Sequence, residues 1–351
     1  MVAPSNNPTA PLPSSDNVPQ DIPPAIRNLL LGNPAEDLPS KPHANRRDPL
    51  ERYIDADMPK IQLHHPRSLF DHISDNTITK WWNLEGSKLL VAPFDDNIHS
   101  HELHHDIKGR ILAAIHEITL SNSVSIAAHP ISEEAIEKKE IPTTFIIYKL
   151  SETHRQILLQ RRIWASINIA FQVAPLEPVC PDFLFNIQGL STLEPGIIMA
   201  TVKEAWNDET TNNFFQSLVE EAPPASQPAL QKALSNFVQS MWVKLLKIMS
   251  KGNSLCPEFN VYAKGSFIQD TNLWPRIRRF LANRTYLNEE LGLGKATIAP
   301  HFCRLCHGRD HPRGLCPFSL LDGWHDPGKP NALRPKPQRG GRSRRGPPRG
   351  P

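Results

Sequence analysis

Cys303, Cys306, His311 and Cys316 lie within fourteen residues in the order C-x2-C-x4-H-x4-C. Three thiolates and one imidazole are a complete tetrahedral ligand set, and soft sulfur donors with one nitrogen point to Zn2+ as the cofactor. The two-residue step lets the chain turn so that both sulfurs face one ion. The two four-residue gaps bring His311 and Cys316 to the remaining vertices. Gly308 and Gly314 leave the turns room for positive φ. A segment this short buries little core of its own, so metal binding would supply its folding free energy. Cys180 and Cys256 complete the five cysteines. They are too few for a disulfide framework and read as small buried hydrophobes.

Two other strings match known chemistry literally and fail on context, and a third falls short of its motif. Residues 303–307 spell C-x-x-C-H, the c-type haem string. That reading needs export and a second axial ligand, yet every methionine lies upstream, and it leaves Cys316 unused. His101, Glu102 and His105 spell H-E-x-x-H. The shared face of His101 and His105 lies opposite Leu103 and Ile107, and Ile111 stands where a third histidine would be needed. An exposed, histidine-rich helix start is expected. Residues 292–295, GLGK, lack the first P-loop glycine at Glu289 and carry Ala296 in place of Ser/Thr. No catalytic residue emerges, and the protein is expected not to be an enzyme.

The elements that must position the ligands follow from periodicity. Residues 87–94 read as a strand. Ser100 reads as the cap of a helix to about Leu120, with Leu103, Ile107, Ile111, Ile115 and Ile118 on its apolar face. Residues 124–128 are a candidate strand, and 133–140 a short helix or connector. Strand 143–150, a helix capped by Ser151 running to about Trp164, strands 167–176 and 182–190 and a helix 193–206 follow. With a strand at 259–268 they complete a β-α-β-β-α-β, ferredoxin-like unit, as built into RNA-recognition motifs. Strands 88–94, 122–128, 143–150 and 167–175 complete the same unit in a second way, and the two readings stay open. Residues 227–249 read as one amphipathic helix, with self-association through its seam as a possible role beside packing on the sheet. Residues 273–281 read as a short basic helix.

Of the 35 prolines, 20 fall in residues 1–50 and 301–351, so the ends read as extended and the middle carries the core. The expected organisation is a disordered Pro-rich region 1–66 and an α/β part 67–140. An RRM-like α+β core 141–285 with a helical insertion follows, then a CCHC zinc knuckle 300–326 and a disordered basic tail 327–351. Within the first region, residues 23–31 read as a linker or a short docking helix. The net charge of +3 hides eight basic and no acidic residues from Lys329 onward, which implies an anionic partner for that tail. No apolar h-region and no 18-residue apolar run is visible. The expected location is therefore the nucleus or cytoplasm, with no membrane partner.

Candidate nucleic-acid contacts cluster around the zinc loop. Arg276, Arg278 and Arg279 interleave with Trp274 and Phe280 just before it. Arg304, Arg309 and Arg313 lie in the loop, with Phe302, Phe318 and Trp324 as stacking candidates. Arg339, Arg342, Arg344 and Arg345 form an RGG/RS-type segment. Phe183, Phe185 and Tyr148 are weaker candidates for base contacts on an RRM-like sheet. The ligand spacing resembles the zinc knuckle of retroviral and retrotransposon Gag proteins. It departs at His307 and Asp310, where that pattern has glycine, and at Arg304, where it often has an aromatic residue. The block DHPRGLCPF with Gly323 and Trp324, and the upstream WPRIRRFLANRTY, resemble segments of mushroom-forming fungal proteins associated with mobile elements. These resemblances imply a Gag-like or ORF1-type binder of single-stranded RNA, or less readily DNA. The alternative is a zinc-stapled protein-interaction scaffold.

Overall fold

Two five-stranded sheets, antiparallel at every pairing, carry the fold. The computed structural model describes Tyr53 and residues 57–94, 100–138, 141–250 and 252–324, all within one compact unit. The expectations for residues 1–52, including 23–31, and for the tail that carries Arg339, Arg342, Arg344 and Arg345 lie outside the described residues.

The first half runs α1 (Asp75–Trp82), β1 (Ser87–Pro93), α2 (His101–Thr119), β2 (Ser125–Ala128), α3 (Glu133–Lys138), β3 (Phe145–Leu150), α4 (Glu152–Arg161), β4 (Ile163–Ala165) and β5 (Ala170–Ala174). Its sheet order is β2-β3-β1-β5-β4. The second half runs β6 (Phe183–Gln188), α5 (Pro195–Trp206), α6 (Glu209–Glu221), α7 (Gln227–Gln239), β7 (Trp242–Met249), β8 (Leu255–Tyr262), α8 (Leu273–Ala282), β9 (Tyr286–Asn288) and β10 (Gly292–Thr297). Its order is β7-β8-β6-β10-β9. Numbered within each half, both sheets have the order 2-3-1-5-4. The chain therefore uses one connectivity twice.

This division corrects the first β-α-β-β-α-β reading. Residues 145–150 and 170–174 belong to one sheet and 183–188 and 255–262 to the other. The strands of the second reading, β1, β2, β3 and β5, do share a sheet. A boundary at 140/141 would cut that sheet, because β3 pairs with both β1 and β2. Residues 57–66 also belong to the fold, since Ile61 and Gln62 are buried.

Ser100 and Ser151 cap α2 and α4 through their hydroxyls, as their positions suggest. The inward face of α2 differs from the expected one. Leu103 is exposed, and His104 with Ile107, Ile111, Ile115 and Ile118 points inward. His104 stacks on Phe145 of β3 at 4.7 Å. Burial, then the charges of Lys108 and His101, lowers its pKa from 6.5 to about 4. Above pH 6.5 the ring is neutral in both the folded and the unfolded chain and has no effect on stability. Between pH 6.5 and 4 only the unfolded chain takes up the proton, so stability falls, by up to about 3 kcal/mol. Urea titrations at pH 7 and pH 4.5 are expected to show this loss in the wild type and much less of it in His104→Phe. Equal losses in both proteins would refute the assignment.

Three expected elements change, two of them where pairing overrides helical period. Residues 163–165 leave the expected helix and pair with β5, as Trp164↔Phe171 and its neighbours. The 167–176 run shortens to β5. Residues 227–249 split into α7 and β7, and β7 pairs with β8 along eight positions. Spacings of three and four fit a helix followed by an alternating strand as well as one helix. Leu234 and Phe237 of the expected seam are buried in the second core together with Trp206 and Val202. The GLGK string lies wholly within β10. Gly292 has φ +94°, and a Cβ on Gly294 would approach the Ile187 side chain to 2.8 Å. No helix among the described residues is long and apolar enough to cross a membrane.

Each sheet has a helix-covered face and a second face. On sheet one, Leu90 and Ile146 of the second face pack under Phe70, Ile73 and Trp81. On sheet two, Phe185 and Ile187 face the helices. The second face carries Asn186 opposite Asn260 and Phe183 opposite Tyr262. That polar strip receives the segment that carries Cys303, Cys306, His311 and Cys316.

Candidate metal centre

Residues 300–324 form an irregular loop with two short 3-10 turns, Arg313–Leu315 and Pro317–Leu320. The Cys303 amide donates to the Gly308 carbonyl at 2.9 Å, and the His307 amide donates to the Cys303 carbonyl at 2.7 Å. This closed turn aims both thiols inward. His307 keeps φ at +62° although it is not glycine. Histidine is among the residues that tolerate this left-handed region better than most. A Cβ on Gly308 would lie 3.2 Å from both the Cys306 sulfur and His311 Cε1, so this position needs a small residue.

The donor atoms of Cys303, Cys306, His311 and Cys316 lie within 4.8 Å of one another, and all four residues are buried. No other cluster of this kind exists among the described residues. Tetrahedral bonds of about 2.0–2.3 Å place donors about 3.5–3.8 Å apart. The Cys306 Sγ to His311 Nε2 separation of 3.5 Å meets that requirement. The set therefore fits a metal ion. Hydrogen bonds with Cys306 and Cys316 pull the Cys303 thiol far below its usual range, and the bond with Cys303 pushes Cys306 up. Burial would lower His311, but Asp310 and the neighbouring thiols outweigh it and raise it to about 11. A cluster that competes for its own protons is what thiolate ligation would relieve.

The loop is not a free-standing knuckle. On one side Cys303, Leu305, Cys306, Cys316 and Phe318 join Ile61, Phe94, Ile163, Ala165 and Ala170 in one apolar cluster. On the other side Asp310 reaches the second sheet. Its carbonyl accepts from Asn260 Nδ2 at 2.5 Å, and its Oδ2 accepts from the Tyr262 hydroxyl at 2.9 Å. His301 Nε2 meets Glu258 of β8 at 2.7 Å. Gln62 closes the third side: its Oε1 accepts from the Asp182 and Phe183 amides, and its carbonyl accepts from the Arg309 amide. Gln62 and Tyr262 carry no sequence signal for such a role, because only the tertiary fold brings them to the loop.

The candidate contact residues separate into two groups. Phe318 is buried against Phe94 and Trp324, so it packs the loop. Trp324 is half-buried beside both. Phe183 and Phe185 are wholly buried, and Tyr148 is half-buried. Arg278 is buried too, with its donors on the Leu184 and His64 carbonyls. Of the three α8 arginines expected as nucleic-acid contacts, Arg278 is therefore turned into the fold. Arg276 forms a two-bond ion pair with Glu221 at 2.8 and 3.0 Å, and Arg279 is exposed. Arg313 is half-buried on its 3-10 turn.

Arg304, Arg309, His307 and Phe302 gather at the loop's outer edge. The Arg309 guanidinium lies 4.5 Å over the Phe302 ring, and the His307 ring stands 5.9 Å from it. Phe302 is 44% exposed. Together with Arg304, His64 and His72 they line a cleft of about 650 Å³ between the loop and the end of sheet one. His101 and His105 are exposed on α2 and join no metal cluster. Comparison with protein-family models, curated proteins and solved structures returns no match for this chain.

Proposed function

We propose that this protein binds single-stranded nucleic acid without catalysis, RNA in preference to DNA, and that zinc in the Cys303–Cys306–His311–Cys316 site holds its binding loop in shape. One observation carries the reading. The platform of exposed Phe302 and half-buried Arg309, with Arg304 and His307 beside it, opens into a cleft at the edge of the buried Cys3His loop. A nucleobase stacks on an aromatic ring or a guanidinium plane, and arginine takes the phosphate. Gag-like descent is supported by the ligand spacing, and RRM-like ancestry by the doubled β-α-β-β-α-β connectivity. The sheet faces themselves are a poor route to RNA here, because the loop and the α1 segment cover them.

Fluorescence anisotropy with a short single-stranded RNA across a salt series tests this. The log–log slope is expected to be about −0.7 per phosphate neutralised. Phe302→Ala is expected to weaken binding by about 1–3 kcal/mol, roughly 5- to 160-fold, without loss of folding. Absence of salt dependence, or equal affinity of Phe302→Ala and wild type, would sink the reading. A second reading, a metal-stapled scaffold, is favoured by the burial of all four ligands between the two sheets. It predicts no RNA affinity at any salt concentration.

A further inference from the structure

The residue directly before the histidine ligand is a carboxylate, and it is anchored three times. Asp310 Oδ1 lies 2.6 Å from His311 Nδ1. That leaves His311 Nε2 facing Cys306 Sγ. Asp310 Oδ2 accepts from Tyr262, and the Asp310 carbonyl accepts from Asn260. Asn260 Oδ1 in turn accepts from Asn186 Nδ2 at 3.0 Å, and both asparagines are wholly buried in the middle of the second sheet. Tyr262 is buried, which pushes its pKa up and keeps its hydroxyl a donor. The chain Asn186–Asn260/Tyr262–Asp310–His311 runs unbroken from the sheet to the ligand set.

We infer that Asp310 is the positioning carboxylate of this metal centre, and that Tyr262 and Asn260 hold it in place, so that the second sheet tunes metal affinity. A carboxylate on the far nitrogen of a histidine fixes its tautomer and ring orientation and raises its basicity toward a metal. A glycine at this position, as in the Gag-type pattern, has no such group. The buried polar strip on β6 and β8 thereby gains a function: the Asn260 amide and the Tyr262 hydroxyl find partners in the seated loop. The inference does not depend on a nucleic-acid partner.

Zinc titration of the full chain against a chromophoric chelator tests it, with folding followed by circular dichroism. Asp310→Asn is expected to lower zinc affinity about 10- to 100-fold, and Tyr262→Phe by a smaller factor, about 3- to 10-fold. The visible bands of the cobalt-substituted protein should shift in both variants, because the imidazole is no longer held at one angle. Tyr286→Phe is the control. Its hydroxyl is equally buried, between Trp206 and Leu281, and does not approach the metal. It should lower the melting temperature and leave metal affinity unchanged. Wild-type affinity and cobalt bands in both Asp310→Asn and Tyr262→Phe would overturn the inference, as would an equal loss in Tyr286→Phe. If Asp310→Asn does not fold, Tyr262→Phe decides by the same titration.

Discussion

Cys306→Ser is expected to abolish stoichiometric metal binding and to lower the melting temperature of the whole chain by about 10 °C. In an isolated knuckle, loss of metal would unfold only the loop. Here the ligands sit in an apolar cluster with Phe94, Ile163 and Ala170 of the first half, and Asp310 is bonded to β8 of the second. Metal that binds only the folded chain stabilises it by about 4 kcal/mol at 1,000 times its dissociation constant. At about 2–4 °C per kcal/mol for a chain of this size, that is about 10 °C. A strong chelator added to the wild type should reproduce the shift, and added zinc should reverse it. Metal analysis and calorimetry check both parts. A chelated wild type that melts unchanged would show that the loop is held by packing alone.

Arg278→Met is expected to destabilise the fold by about 3–4 kcal/mol without touching a phosphate-binding surface. The β6–β8 register passes from Phe183↔Tyr262 to Phe185↔Val261, so Leu184 is a bulge residue without a place in that ladder. Its carbonyl is satisfied by Arg278 Nε, and Arg278 Nη1 donates to the His64 carbonyl at 2.6 Å. The guanidinium also lies over the Trp274 and Phe183 rings, at 4.8 and 5.7 Å. Methionine fills the volume but leaves two carbonyls without donors and releases residues 57–64, which also hold Gln62 against the metal loop. Arg278→Lys should recover less than half of the loss, because an ammonium neither forks to two carbonyls nor stacks as a plane. Urea unfolding of the three proteins measures this. Full recovery by lysine would mean that charge alone matters at this site.

How much was legible differs from residue to residue. The Cys3His set was fully legible, because local turns bring four residues of one short segment together, with donor atoms within 4.8 Å of one another. The caps at Ser100 and Ser151 and the apolar stripe from Ile107 to Ile118 were legible for the same reason, since hydrogen bonds and helical period act over a few residues. His104 was not, because a histidine on an apolar stripe shows its burial only once Phe145 lies against it. Residues 227–249 read as one helix because a helix followed by a strand has the same apolar spacings. Only the eight positions of β8 reveal the strand.

What the sequence determined by itself was therefore the chemistry that is local in the chain: a Cys3His metal site, the helix starts and the strand segments. The tertiary structure alone decided which strands share a sheet, and hence that one connectivity occurs twice. It also decided what surrounds the Cys3His cluster. Asp310 looked like a departure from a knuckle and became the link to Tyr262 and Asn260. Arg278 looked like a phosphate contact and became a buried clasp. Both reversals have one cause. A residue's type states which bonds it can make, and only the long-range packing of distant segments, more than 40 residues away for Tyr262 and more than 90 for Leu184, states with whom.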